Sequence, residues 1–164
     1  MTAILSLGSC MGDSVALLEK AATLVEALPE TEPLARSSLY ETEAVDVPPQ
    51  FADIKFLNSV IAVETALPPE TFSDAIHGIE TALGRVRSGP RHGPRTIDID
   101  IVSFGSAVSE DPSLTLPHPE AVRRRFVMEP LAEILPDYVL PGQTRTAAEI
   151  AASLPDRPAV SRKA

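Results

Sequence analysis

A chain of 164 residues with 44% hydrophobic and 23% charged side chains has room for one domain and a core that needs no metal or disulfide to hold it. Its net charge of −9 argues against general nucleic-acid binding, and its single cysteine, Cys10, rules out an internal disulfide and a cysteine-based zinc site. No apolar run approaches the roughly 20 residues of a membrane helix, and the start MTAILSLGSC lacks the basic region of a leader, so a soluble protein of the reducing cytoplasm is expected.

In chain order, AILSL at 3–7 reads as a strand, and Gly-Ser-Cys-Met-Gly-Asp as the turn after it. Asp13 or Ser14 can cap a helix near 14–28, whose end Pro29 and Pro33 punctuate. One strand is expected near 35–42 and a two-proline loop over 43–55. FLNSVIAVETA at 56–66 is β-rich and reads as a central strand. Pro68 and Pro69 open a helix over about 69–83, with Gly84 at its C-terminal cap. RVRSGPRHGPR at 85–95 is a long loop, and TIDIDIVSF at 96–104 is an alternating strand. Turn-like residues at 109–113 and an extended piece at 114–119 lead to a helical stretch near 119–135, interrupted at Pro130. A short helix is expected over 145–153, and a frayed tail from Pro155. Irregular alternation of strands and helices points to an α+β domain, a mainly antiparallel sheet with helices packed on it.

Charge is unevenly spread. Residues 85–125 hold seven arginines and five acids, a window of +2 that leaves −11 elsewhere. Arginines concentrated in an acidic chain suit a polyanionic small ligand; a solvated basic face is the other reading. Asp98 and Asp100 stand two apart in a strand, so both carboxylates face one way while Ile97, Ile99 and Ile101 face the core. Paired acids repel unless a cation neutralises them, and magnesium takes one or two carboxylates plus substrate phosphates. A polar strip on an edge strand is the alternative. Arginines for phosphate beside carboxylates for metal fit metal-dependent phosphoryl transfer, and no P-loop motif is present. Asn58 within an apolar strand needs a hydrogen-bond partner, from a loop or a ligand.

The segment GRVRSGPRHGPRTIDIDI closely resembles the signature of the hydroxymethyl-dihydropterin pyrophosphokinase family. LSLGSCMGD, SSLYETEAV, FLNSVIAVET, GIETALGR and LTLPHPEAVRRRFVMEPLAEI resemble further family motifs, in order, over about residues 3–142. The resemblance implies a single-domain ferredoxin-like α/β sandwich over 1–142, with 143–164 as a short helix and tail. It implies transfer of pyrophosphate from ATP to the hydroxymethyl oxygen of 6-hydroxymethyl-7,8-dihydropterin, with release of AMP, in folate biosynthesis.

By the same resemblance, Asp98 and Asp100 hold two magnesium ions. Arg85 and Arg95 contact the transferring phosphates, with Arg87 on the loop. Glu80, Thr115, His118 and Arg124 serve the nucleotide. Phe56 and Phe126 sandwich the pterin, although both suit a plain core role. Asn58 and the main chain from Thr42 to Val45 meet the pterin's polar edge, and His92 closes over it. Cys10 and His92 depart from the family's common asparagine and bulky aromatic. Two other readings stay open: a non-catalytic nucleotide- or pterin-binding regulator of this fold, and an interaction module using Arg123, Arg124 and Arg125 as a basic patch. A freestanding monomer is expected, with a dimer left open.

Overall fold

The computed structural model describes residues 1–10, 14–43, 55–84, 97–155 and 159–163. A six-stranded antiparallel sheet has the order β5-β1-β4-β3-β8, with β2 also paired to β4. The strands are β1 (Thr2–Ser9), β2 (Thr31–Arg36), β3 (Tyr40–Glu43), β4 (Lys55–Thr65), β5 (Asp98–Phe104) and β8 (Val160–Arg162). Helices α1 (Ser14–Glu26) and α2 (Pro69–Ala82) cover one face; α3 (Arg125–Ile134) and α4 (Ala147–Ser153) cover the other.

The central strands are apolar in both parities because both faces are covered. Ala3, Leu5, Leu7, Leu57, Ile61 and Val63 meet α1 and α2, while Ile4, Val60 and Ala62 meet α3 and α4. On α1, Leu18, Ala21, Ala22 and Val25 recur at helical spacing. On α2, Phe72, Ile76 and Ile79 do the same, and Phe72 meets Phe104 of β5 with ring centroids 5.6 Å apart. Burial of each such large side chain stabilises the fold by about 2 kcal/mol. The helix opens on Pro68 and Pro69, where a missing N–H costs nothing, and Gly84 follows it at φ +92°, where a side chain would be strained.

Four expectations need correction. The single strand near 35–42 is two strands. Ser37 to Leu39 oppose only Val60 and Ser59, and the Ser37 hydroxyl accepts from the Val60 N–H at 2.9 Å in place of a main-chain carbonyl. Pro33 lies inside β2, an edge strand that can spare a donor. Residues 109–116 form a hairpin, β6 (Ser109–Asp111) and β7 (Leu114–Leu116), where Asp111 Oδ1 accepts from the Ser113 N–H at 2.9 Å and steadies the turn. The helical stretch breaks at Arg124, which is extended, after a 3-10 turn at Ala121–Arg123; Pro130 sits inside α3 and forgoes one bond.

The fourth correction concerns the tail. α4 falls where a short helix was expected, capped reciprocally by Thr146 and Glu149. Instead of fraying, the chain then returns as β8 and pairs with β3, Tyr40 opposite Arg162 and Thr42 opposite Val160. A two-sided apolar strand at the sheet's centre announces itself locally; a three-residue edge strand exists only through its partner.

Candidate functional site

The register of the sheet aligns the candidate residues. Directly opposed residues of antiparallel strands point to the same face. Asp98 opposes Gly8, Gly8 opposes Asn58, Asn58 opposes Tyr40, and Tyr40 opposes Arg162. One row therefore crosses five strands on the α3/α4 face. Asp100 lies beside Asp98 in the next same-face row, opposite Ser6, and Phe56 lies beside Asn58, opposite Thr42. Two strand spacings, roughly 10 Å, separate the row position of Asp98 from that of Asn58.

Gly8 keeps the middle of the row open. A Cβ on Gly8 would stand 2.9 Å from Asn58 Oδ1, closer than real contacts allow. The Asn58 amide is buried, and its Nδ2 donates to Thr42 Oγ1 at 2.8 Å. Thr42 thus holds Asn58 through its side chain, a contact separate from the main-chain role the resemblance implies for it. Phe56 is half-buried at the same end.

At the other end, Asp98 and Asp100 are half-buried on β5, with Ile97 and Ile99 turned into the core as expected. Glu80 of α2 is 1% exposed, and its Oε2 accepts from the Ile99 N–H at 2.8 Å. This carboxylate supports the outer edge of β5 from behind, between the two acids.

A cavity of about 300 Å³ opens beside them, lined by Ile76 and His77 of α2, Asp100 and Ile101 of β5, Thr115 of β7, and His118, among others. Thr115 is exposed there and donates to the Asp111 carbonyl at 3.1 Å. Sequence reasoning missed the apolar lining Ile76 and Ile101, whose periodicity reads simply as core.

The segment after β7 runs along β5, where the His118 N–H donates to the Val102 carbonyl at 2.8 Å. His118 Nδ1 accepts from the Glu120 N–H at 3.1 Å, so the ring's proton sits on Nε2. Burial first, then the Arg124 charge, lower the His118 pKa below its ordinary range, against opposing pulls from Glu120 and Asp98. The ring is a neutral donor at pH 7.

Arg124 immediately precedes α3, and its guanidinium lies 5.5 Å from the centroid of the Phe126 ring. The candidate nucleotide arginine and the candidate pterin aromatic therefore touch. Of the neighbouring arginines, Arg125 pairs with Glu129 at 2.9 Å and Arg123 with Glu120 at 3.5 Å. Local acids so compensate two of the three charges of the supposed basic patch. Val45, Arg85, Arg87, His92 and Arg95 lie outside the described residues.

The donor set bears on a metal. Asp98 and Asp100 offer only oxygen, on one face and partly open to solvent, which fits magnesium. Among the described residues no group of three or more His, Cys, Asp or Glu side chains is placed to hold a metal ion.

Comparisons with known proteins agree with one another. The family model described as 7,8-dihydro-6-hydroxymethylpterin-pyrophosphokinase (HPPK) matches residues 4–136. The 2-amino-4-hydroxy-6-hydroxymethyldihydropteridine pyrophosphokinase of Methylorubrum extorquens is 42% identical over 145 residues, covering 87% of each chain. The enzyme of the same name from Pseudomonas aeruginosa is 39% identical, covering 83% of this chain and 82% of its own. Among solved structures, the wild-type HPPK-DHPS of Plasmodium falciparum with pteroate superposes with a TM-score of 0.69 at 15% identity. That match covers 92% of this chain and 42% of the Plasmodium chain, and it shows the fold.

Proposed function

Because the chain belongs to the 7,8-dihydro-6-hydroxymethylpterin-pyrophosphokinase family, we propose that the acid end of the sheet face binds ATP and the amide end binds the pterin. The family's reaction is pyrophosphoryl transfer in folate biosynthesis, and this chain is an enzyme of that kind. The observation that carries the assignment is the register row, in which a residue without a side chain, Gly8, stands between Asp98 and Asn58. Two substrates can meet over that gap.

At the acid end, Asp98 and Asp100 would hold two magnesium ions. Bound there, the metal would offset charge on the phosphates. Arg85 and Arg95 grip the transferring phosphates from the loop, with Arg87 beside them. His118 presents Nε2–H to a phosphate oxygen, and Arg124 adds a charge that its stacking on Phe126 keeps in place. Thr115 lines the nucleotide cavity, and Glu80 serves it indirectly by fixing β5 at Ile99. At the amide end, Phe56 and Phe126 sandwich the pterin ring. Asn58, held by Thr42, meets its polar edge with the main chain at Thr42 and Val45, and His92 closes over it.

The hydroxymethyl oxygen attacks the β-phosphorus of ATP in line. A new O–P bond forms, the bond from the β-phosphorus to the α–β bridging oxygen breaks, and AMP leaves with the electron pair. The hydroxyl proton passes to a site carboxylate or to water. Positioning and charge compensation supply the catalysis. The described part of 143–164 shares the sheet and the α3/α4 core, so one domain extends to β8; a freestanding monomer is our reading, with a dimer as the alternative. Among the described residues no helix is long and apolar enough to cross a membrane. The cytoplasm remains the proposed setting.

The test is to supply ATP, magnesium and 6-hydroxymethyl-7,8-dihydropterin and to resolve AMP from ADP. Pterin-dependent AMP, matched by pterin diphosphate, is expected. ADP would mean attack on the wrong phosphorus. Failure to form AMP while ATP still binds would favour the regulator.

A further inference from the structure

Among the described residues, one carboxylate with several hydrogen bonds lies outside the chemistry just described. Glu133, near the end of α3, accepts from the Ser38 N–H at 3.0 Å to Oε1 and 3.1 Å to Oε2, and from the Ser38 hydroxyl at 2.9 Å. The Tyr40 hydroxyl donates to it at 2.7 Å, and the Arg162 guanidinium stands 3.6 Å away. Arg162 also donates to the Tyr40 hydroxyl at 3.3 Å and lies 5.8 Å from the centre of its ring. One carboxylate thus joins α3, the bulge between β2 and β3, and the C-terminal strand β8.

What those elements carry gives the cluster a use. Glu133 and Phe126 are seven residues apart on α3, so they share a helix face two turns apart. Tyr40 opposes Asn58, and the next same-face residue of β3, Thr42, holds the Asn58 amide and opposes Phe56. Each end of the Glu133–Tyr40 bond therefore sits on an element that carries one wall of the proposed pterin subsite. β8 adds Arg162 opposite Tyr40 and Val160 opposite Thr42, on the outer edge of that strand. A surface anchor for packing alone would not need to join these two elements beside the site.

We propose that Glu133 is a positioning residue for the pterin subsite: with Ser38, Tyr40 and Arg162 it sets the rotation of α3 and so holds Phe126 at a fixed distance from Asn58 and Phe56. The C-terminal strand belongs to this device and is not an appendage. The inference rests on the pterin reading above and adds residues that touch neither substrate.

The experiment is steady-state kinetics on the full chain with each substrate varied in turn, for wild type, Tyr40→Phe, Glu133→Gln, Arg162→Ala and Ile150→Val, with melting temperatures for all. Ile150 is 1% exposed in the same α3/α4 core and is not one of the four residues, so it serves as a control for simple loosening. Tyr40→Phe and Glu133→Gln should each raise the pterin KM roughly threefold to tenfold, with the ATP KM and kcat within about twofold. Arg162→Ala should follow in the same direction with a smaller rise. The double variant Tyr40→Phe/Glu133→Gln should be no worse than the sum of the singles, because both remove one contact. Should Glu133→Gln fail to fold, Tyr40→Phe, which loses one hydroxyl, decides alone.

The proposal is overturned if both KM values rise together, or if Ile150→Val raises the pterin KM as much as Tyr40→Phe does. Unchanged KM values in Tyr40→Phe beside a working wild type overturn it as well. A wild type without any pterin-dependent turnover would instead remove the pterin reading, and this inference with it.

Discussion

The two ends of the register row solve different problems. At the β5 end two like charges stand side by side on an edge strand, stiffened from behind by Glu80 on the Ile99 N–H. At the β3 end a neutral amide is buried and tied to Thr42 within the chain. An amide can be satisfied by a hydroxyl and still keep a donor and an acceptor for a ligand. Two carboxylates on one face of a strand repel each other, and in the proposed reading a bound cation offsets that repulsion. On the proposed reading the acid end changes its charge balance when metal and nucleotide bind, whereas the amide end is held in place by the chain itself.

This contrast can be broken at either end. The largest effect is expected at the acids: Asp98→Asn and Asp100→Asn should each cut the rate of AMP formation by at least about a hundredfold, several kcal/mol of lost transition-state stabilisation. The fold, read by circular dichroism, should remain intact. Activity within tenfold of wild type would remove the acids from catalysis.

Next is the gap. Gly8→Ala should push the Asn58 amide aside, since its Cβ would meet Oδ1 at 2.9 Å, and raise the pterin KM about tenfold. The ATP KM should move much less, and equal shifts in both would mean a general distortion of β1.

Third, Thr42→Val removes the hydroxyl that holds Asn58 and should cost about 1–2 kcal/mol, read as a several-fold rise in pterin KM and a lower melting temperature. Thr42→Ser should restore most of it. If Thr42→Ser behaves like Thr42→Val, the methyl group rather than the hydroxyl matters.

Smallest is a pH effect at His118, which lies beside β5. Burial and Arg124 depress its pKa below the ordinary 6.5, so the unfolded chain binds the proton more readily than the folded one. Stability from this site therefore rises with pH through the window from the depressed value up to 6.5, and is level above it. The melting temperature of wild type should fall relative to His118→Gln as pH drops below 6.5, and a constant difference would contradict the neutral ring.

How much was legible follows the same division. β4, α2 and β5 were readable because their apolar residues repeat at strand or helix spacing. The Asp98–Asp100 pair was readable because strand alternation alone puts both on one side. The bulge at Ser37–Leu39 was not, because it depends on a hydroxyl replacing a carbonyl against a strand twenty residues away. β8 was not, because three residues pair only where β3 offers an edge. Gly8 looked like turn chemistry, yet its lack of a side chain matters against Asn58, a contact that only the register reveals. The reach of Glu133 across to Ser38 and Tyr40 spans more than ninety residues of chain and leaves no local trace.

The most direct test of the acid end is the magnesium dependence of nucleotide binding. Titration calorimetry with a non-hydrolysable ATP analogue would compare wild type with Asp98→Asn/Asp100→Asn, each with magnesium and with the metal chelated. The predicted result is that magnesium tightens binding to wild type strongly and leaves the double variant nearly unchanged. Equal tightening in both proteins would contradict the assignment of the two acids to the metal and the nucleotide.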